Sequence, residues 1–279
     1  EMTSSLVGSE MCIRDRKYAI DNNIEVVNLK MILDGNAYEE GFEDTWDEFY
    51  EKMKKSKNFP TTSQPSPQDF MDAIDKIFKE DENAEILILT ISNSLSGTIN
   101  SATIAANSYS GKRIVAHDTQ NATTCCRLLT EEVVNHIKKG ITFDELLNLL
   151  PKIENALKIQ FIPDSMDALK RGGRIGTLSA ALASILKIKP LFKFANGKIS
   201  ITKKVLGLSR AITDAILELP KKLKKLCICY IHDRVNVPMI SQKLKDMLNL
   251  TGIEEVKIEP VFGVHVGIGA VGLASLEEY

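Results

Sequence analysis

Residues 85–98 read Glu85-Ile86-Leu87-Ile88-Leu89-Thr90-Ile91-Ser92-Asn93-Ser94-Leu95-Ser96-Gly97-Thr98. The first eight make a nearly unbroken apolar run of strand length, the pattern of a strand buried on both faces. A short polar turn follows, and then an alanine-rich helical run to about Tyr109. Strand, turn and helix N-terminus in succession form the unit of a parallel sheet covered by helices. The backbone N–H groups at such a helix start suit a carboxylate or phosphate.

The same rhythm extends on both sides. Residues 17–22 read as the end of a helix and residues 24–29 as a strand. Asp44 is a fair cap for a helical run to about Lys55. Three prolines among hydroxyl residues at 60–67 predict a loop, after which Ser66, Pro67 and Asp69 start a helix through about Lys79. Residues 113–118 form another strand and residues 122–139 a long helix. A further helix runs from Thr142 to about Leu157, with Glu145 completing a capping box.

Beyond the strand at residues 159–163 the texture changes. A helix at 165–170 leads into Arg171-Gly172-Gly173-Arg174-Ile175-Gly176, and 180–186 reads as a short apolar helix. Asn196-Gly197 between two strand-like runs is a strong hairpin signal, and a hairpin is antiparallel. A helix (209–219), a strand (226–233), a helix (237–248) and a strand (256–261) complete this part. The fold class is therefore α/β, with a parallel-sheet N-terminal domain over residues 17–157 and an α+β C-terminal domain over 158–279. Residues 1–16 show neither strand alternation nor a helical stripe. The string from Ser5 to Asp15 resembles translated sequencing-adapter sequence, so this segment is expected to lie outside the native fold.

Composition narrows the function. The chain has 279 residues, 44% apolar and 26% charged, with a formal net charge of -2. That is ordinary for a globular protein and gives no basic face for nucleic acid. No apolar run approaches the roughly 18 residues of a membrane span, and no secretory signal is visible, which predicts a cytoplasmic protein without a span. The five cysteines, Cys12, Cys125, Cys126, Cys227 and Cys229, lack the spacing of a zinc site and read as reduced core thiols.

Several sharp motifs weaken when weighed. Gly267-Ile268-Gly269-Ala270-Val271-Gly272 matches a dinucleotide fingerprint, but too little chain follows for the helix and second strand it needs. His117-Asp118 and His232-Asp233 end strand-like runs without a metal-ligand spacing, so no metal is expected. Ser96 or His265 could serve a stand-alone hydrolase or an acyl or phosphoryl transferase, yet neither Ser94 nor Ser96 sits in a G-x-S-x-G elbow. Loop hydroxyls with an arginine beside two glycines equally suit a carboxylate pocket.

Five segments stand in register: 62–66 (TSQPS), 92–98 (SNSLSGT), Gly172-Gly173-Arg174-Ile175, Ile188-Lys189-Pro190 and His265-Val266-Gly267. Together they resemble the DegV family, over the chain from about Lys17 onward. The resemblance implies two α/β domains with a long-chain fatty acid in a slot between them, and no other cofactor. It also implies the role of the lipid-binding subunit of a bacterial fatty acid kinase, presenting the carboxylate to a separate ATP-dependent kinase subunit for phospholipid synthesis. Transient membrane contact would accompany lipid exchange. Carried over by position, Thr62, Asn93, Ser94, Ser96 and His265 would bind the head group. Arg174 would position the carboxylate or meet the partner. The apolar run at 180–186 and the strand at 86–91 are expected to wall the slot. The chain departs from the family at Asn93 (usually serine), at Ile268 (commonly proline) and near Leu206 (often arginine). It also lacks an aspartate-serine pair on the first strand.

Overall fold

The computed structural model of the chain describes residues 4–9, 16–41, 45–164, 166–174 and 188–279. In chain order, β1 (Ser4–Ser9), α1 (Arg16–Asp21) and β2 (Ile24–Val27) precede a hairpin of β3 (Lys30–Leu33) and β4 (Asn36–Glu39). Helix α2 (Trp46–Lys55), strand β5 (Thr61–Ser63) and α3 (Pro67–Glu80) lead to β6 (Glu85–Thr90), α4 (Thr98–Asn107) and β7 (Ile114–Asp118). Helices α5 (Thr124–Lys138) and α6 (Phe143–Ala156) come before β8 (Leu157–Ile162) and α7 (Met166–Gly172). A second hairpin, β9 (Ile188–Ala195) and β10 (Lys198–Leu206), is followed by α8 (Leu208–Leu217) and β11 (Leu223–Tyr230). Helix α9 (Val237–Leu248), β12 (Glu254–Lys257), α10 (Pro260–Val266) and β13 (Val271–Glu277) end the chain.

A first sheet, in the order β2-β1-β6-β7, is parallel throughout. Its strand β6 is buried at every position, as an apolar run on both faces requires. Ile86 and Ile88 face α3 and α4, while Leu87 and Leu89 face a larger core that runs into the second half of the chain. The second sheet, in the order β10-β9-β8-β13-β11-β12, is antiparallel except for the pair β11–β12. Helices α8 and α9 cover one of its faces. The fold is thus α/β, with a parallel-sheet part and an α+β part.

The boundary expected at 157/158 falls after the first residue of β8, and α5 and α6, which precede it, pack against β8 and β13 of the second sheet. Ion pairs reinforce this: Arg127 of α5 reaches Glu254 of β12 at 2.9 Å, and Lys225 of β11 reaches Glu131 of α5 at 2.7 Å.

Three expectations are corrected. Residues 4–9 are not outside the fold: β1 lies between β2 and β6, with Leu6 at 3% and Val7 at 0% exposure. Its apolar pair is too short to show alternation, and pairing on both sides supplies what its own pattern lacks. Residues 61–63 are not loop. They form the edge of a third, small sheet, β4-β3-β5, where Thr62 stands opposite Met31. An edge strand tolerates flanking prolines because its outer side makes no ladder. The strand expected at 256–261 ends at Lys257, and Pro260 instead starts α10. The helix expected at 180–186, and the cap at Asp44, fall outside the described residues.

The third sheet carries a hairpin signal of its own. Asp34-Gly35 turns β3 into β4 with φ of +52° and +79°, the double left-handed pair that Asp-Gly supplies at little cost. The capping box expected of Thr142 with Glu145 forms, and at the helix start expected after residue 65 Ser66 and Asp69 make a second one.

Candidate functional site

Four separate segments meet at the carboxyl end of β6. The polar turn at 92–97 leaves that strand directly and is held by its own hydroxyls. Ser92 Oγ lies 3.0 Å from Ser94 Oγ, Ser96 Oγ lies 2.9 Å from Thr98 Oγ1, and the Leu95 N–H donates to the Ser92 carbonyl at 2.9 Å. The Asn93 N–H donates to Asp118 Oδ1 at 3.2 Å, tying this turn to the end of β7. Strand β5 brings Thr62, α10 brings His265, and the end of α7 brings Gly172 and Arg174.

The contacts across these segments are specific. Thr62 Oγ1 lies 2.8 Å from His265 Nε2, a bond between residues 203 apart in sequence. Gly172 packs on the other edge of that ring, where an added Cβ would sit 2.7 Å from His265 Nδ1 and 3.1 Å from His265 Cα. No larger residue fits there, which accounts for this glycine of the arginine-glycine stretch. Arg174 is exposed; its Nη1 donates to the Gly172 carbonyl at 2.8 Å and its Nε to the Leu95 carbonyl at 3.4 Å. Burial first, then the Arg174 guanidinium, push the His265 imidazole down to about 4, with the Gly172 backbone opposing. The ring is neutral at pH 7.

These residues surround a cavity of about 460 Å³, within the range of pockets that enclose a small organic ligand. Thr62, Asn93, Ser94, Ser96, Arg174 and His265 all line it. Of its polar lining, Asn93, Ser94 and Arg174 are exposed, while its apolar wall is built by the buried Leu29, Ile91, Phe161 and Leu169 and the half-buried Ile199 and Phe262 among others. The expected wall at 86–91 is corrected: Ile91 alone reaches the cavity, because residues 86–89 are spent inside the sheet. The expected wall at 180–186 lies outside the described residues. Phe161 anchors the apolar side, stacked on Phe192 at 5.1 Å and edge-on to Phe262 at 6.1 Å between ring centres. Sequence reading missed Phe161, Phe262, Ile199 and Gln64. Only Gln64 carried a signal, its place inside the 62–66 segment.

Other chemistry is less well served. Ser96 pairs with Thr98 and His265 with Thr62, so the two candidate hydrolytic groups are not hydrogen-bonded to each other. His265 Nδ1 is buried without a hydrogen-bond partner and so has no orienting carboxylate. His117 meets Glu154, and His232 meets Asp47 at 3.1 Å and Glu51 at 3.2 Å. Among the described residues, no group of three or more His, Cys, Asp or Glu could hold a metal ion. Cys125, Cys126, Cys227 and Cys229 are buried and reduced, and burial raises the thiol pKa of Cys125, Cys227 and Cys229. In the C-terminal glycine segment the helix precedes the strand, the reverse of a dinucleotide fold. Gly272 serves the sheet, since a Cβ there would lie 2.4 Å from the Gln160 carbonyl oxygen. Among the described residues no helix is long and apolar enough to cross a membrane.

Comparison with known proteins agrees with this architecture. The profile of the family described as "Uncharacterised protein, DegV family" matches residues 6–278. A DegV domain-containing protein of Listeria innocua is 32% identical over 258 residues, which cover 90% of each chain. A fatty-acid-binding DegV family protein from Thermus thermophilus superposes with a TM-score of 0.86 at 26% identity, over 99% of this chain and 100% of that one. A fatty-acid-binding DegV family protein from Streptococcus agalactiae shares the fold with a TM-score of 0.91 at 22% identity, over the full length of both. This chain belongs to the DegV family.

Proposed function

We propose that the cavity holds one long-chain fatty acid, and that this protein presents its carboxylate to a separate ATP-dependent kinase subunit for acyl-phosphate formation. The observation that carries the reading is the two-sided cavity, with neutral donors and one arginine at its mouth and an apolar wall behind them. Each methylene moved out of water is worth about 0.8 kcal/mol, so the tail supplies affinity and the mouth supplies orientation.

At the mouth, Thr62 Oγ1 and His265 Nε2 are hydrogen-bonded to each other, which fixes the Thr62 hydroxyl and the imidazole side by side at the ligand's head. Ser94, Ser96 and the Asn93 amide add donors, the last in place of the serine usual in the family. Arg174, exposed at the rim, meets the carboxylate, its phosphorylated product or the partner. The protein itself does no bond-making in this scheme. It works in the cytoplasm, with at most transient membrane contact while lipid exchanges.

The test is reconstitution. The purified protein, palmitate, ATP and a bacterial fatty acid kinase subunit are mixed, and acyl phosphate is trapped with hydroxylamine. Hydroxamate that requires both proteins is the expected result. Hydroxamate made by this protein alone, or none from the complete mixture, contradicts the reading.

A further inference from the structure

Gly97 precedes α4 with φ of −73° and ψ of 14°, angles open to residues with side chains. Backbone freedom therefore does not explain a glycine here. Space does. A Cβ at residue 97 would lie 2.5 Å from Gln64 Oε1, 3.3 Å from its Cδ and 3.4 Å from its Nε2. The same amide donates through Nε2 to Ser101 Oγ at 3.1 Å, one turn into α4, where Ser101 is only 4% exposed. Gln64 thus lies flat across the start of α4, filling the volume that Gly97 leaves.

Its place in the chain gives this contact a consequence. Gln64 directly follows β5, which carries Thr62, and the segment it crosses to carries Ser94 and Ser96. These two donor groups belong to different sheets, and both line the cavity beside Gln64 and Gly97. A carboxylate spans little more than one hydrogen bond's reach. Donors on separate elements serve it together only when their separation is fixed to a fraction of an ångström.

We infer that Gln64 is the positioning residue of the mouth, a strap that seats in the notch of Gly97 and holds the Thr62 strand in register with the 93–97 turn. The role rests on the fatty-acid reading above. Gln64 acts here by holding other groups in place, and this makes Gln64 and Gly97 a single device. A Cβ at 97 displaces the Gln64 amide from the notch, and loss of the strap makes the side chain at 97 harmless.

Myristate and its methyl ester, which share a tail but not a charged head, distinguish positioning from plain stability. Their affinities for the full chain are measured by displacement of a fluorescent fatty acid, with thermal unfolding in parallel. Gln64→Ala and Gly97→Ala are each expected to weaken myristate about tenfold, the worth of one well-placed head-group hydrogen bond. Methyl ester affinity is expected to change by less than about twofold, because tail burial is untouched. Ser101→Ala, which removes only the strap's acceptor, shifts the acid-to-ester ratio in the same direction. The double variant Gln64→Ala/Gly97→Ala is no weaker than either single one, the non-additivity of groups that act as a unit. Acid and ester affinities falling together with the melting temperature, or additive losses in the double variant, overturn the inference. Wild-type protein that binds neither ligand removes the fatty-acid reading itself, whereas tight myristate binding unaffected by these substitutions removes the strap alone.

Discussion

The mouth and the interior of the cavity are built by different rules. The mouth draws one to three residues from each of four segments: β5, the 93–97 turn, α10 and the end of α7. Each is held by one or two hydrogen bonds, such as Thr62 to His265 at 2.8 Å or Arg174 to the Gly172 carbonyl at 2.8 Å. The interior instead borrows the apolar faces of elements that the fold needs anyway. Phe161 belongs to a central strand and to the main hydrophobic core as much as to the cavity. A change inside should therefore cost folding and binding together, while a change at the mouth should cost binding alone.

That separation can be broken at four places. The largest effect is expected at Phe161, 4% exposed and stacked on Phe192: Phe161→Ala should destabilise the protein by about 3–5 kcal/mol. Urea unfolding measures this, and a loss under about 1 kcal/mol would mean the interior is not core. Next is His265, whose pKa falls from 6.5 when exposed to about 4 in the fold. A lowered histidine pKa means the unfolded chain binds the proton better. Stability is then full above pH 6.5 and is lost as pH falls toward 4. Between pH 7 and pH 5 this amounts to about 2 kcal/mol. His265→Gln should remove that part of the slope, as urea midpoints at the two pH values would show.

The third place is Thr62. Thr62→Val keeps the shape and removes the hydroxyl, so fatty acid affinity should fall roughly tenfold with little change in melting temperature. Titration of the delipidated protein checks this, and a melting temperature that drops with the affinity would blur mouth and interior. The smallest effect on stability is at Arg174, which is exposed and bonds only backbone carbonyls. Arg174→Ala should shift stability by less than about 0.5 kcal/mol. Its reading-out is acyl-phosphate yield in the reconstituted system, which should drop. Lipid binding and yield both unchanged would remove Arg174 from the site.

The same division governs what could be read from the sequence. The mouth was legible because turns and helix starts carry unusual residues: the 93–97 turn, the TSQPS segment, the glycines beside Arg174 and His265 before Gly267. The strand at 85–92 announced the parallel sheet, and Asn196-Gly197 announced the antiparallel one. The interior was not legible, since Phe161, Ile199 and Phe262 have the pattern of any core residue and their aim depends on packing. Strand β1 was missed because its two apolar residues gain their burial from neighbours distant in sequence, Ile24 and Leu87 opposite Leu6. Strand β5 was missed because prolines on either side signal loop unless the strand is an edge. The segment after Lys257 reads as strand because its β-branched residues hide a helix started by Pro260.

Native mass spectrometry of the protein purified from bacteria tests the cavity's role most directly. The account predicts a single excess mass equal to one long-chain fatty acid, removed by delipidation and restored by adding palmitate. Protein that arrives empty and takes up no palmitate would contradict it.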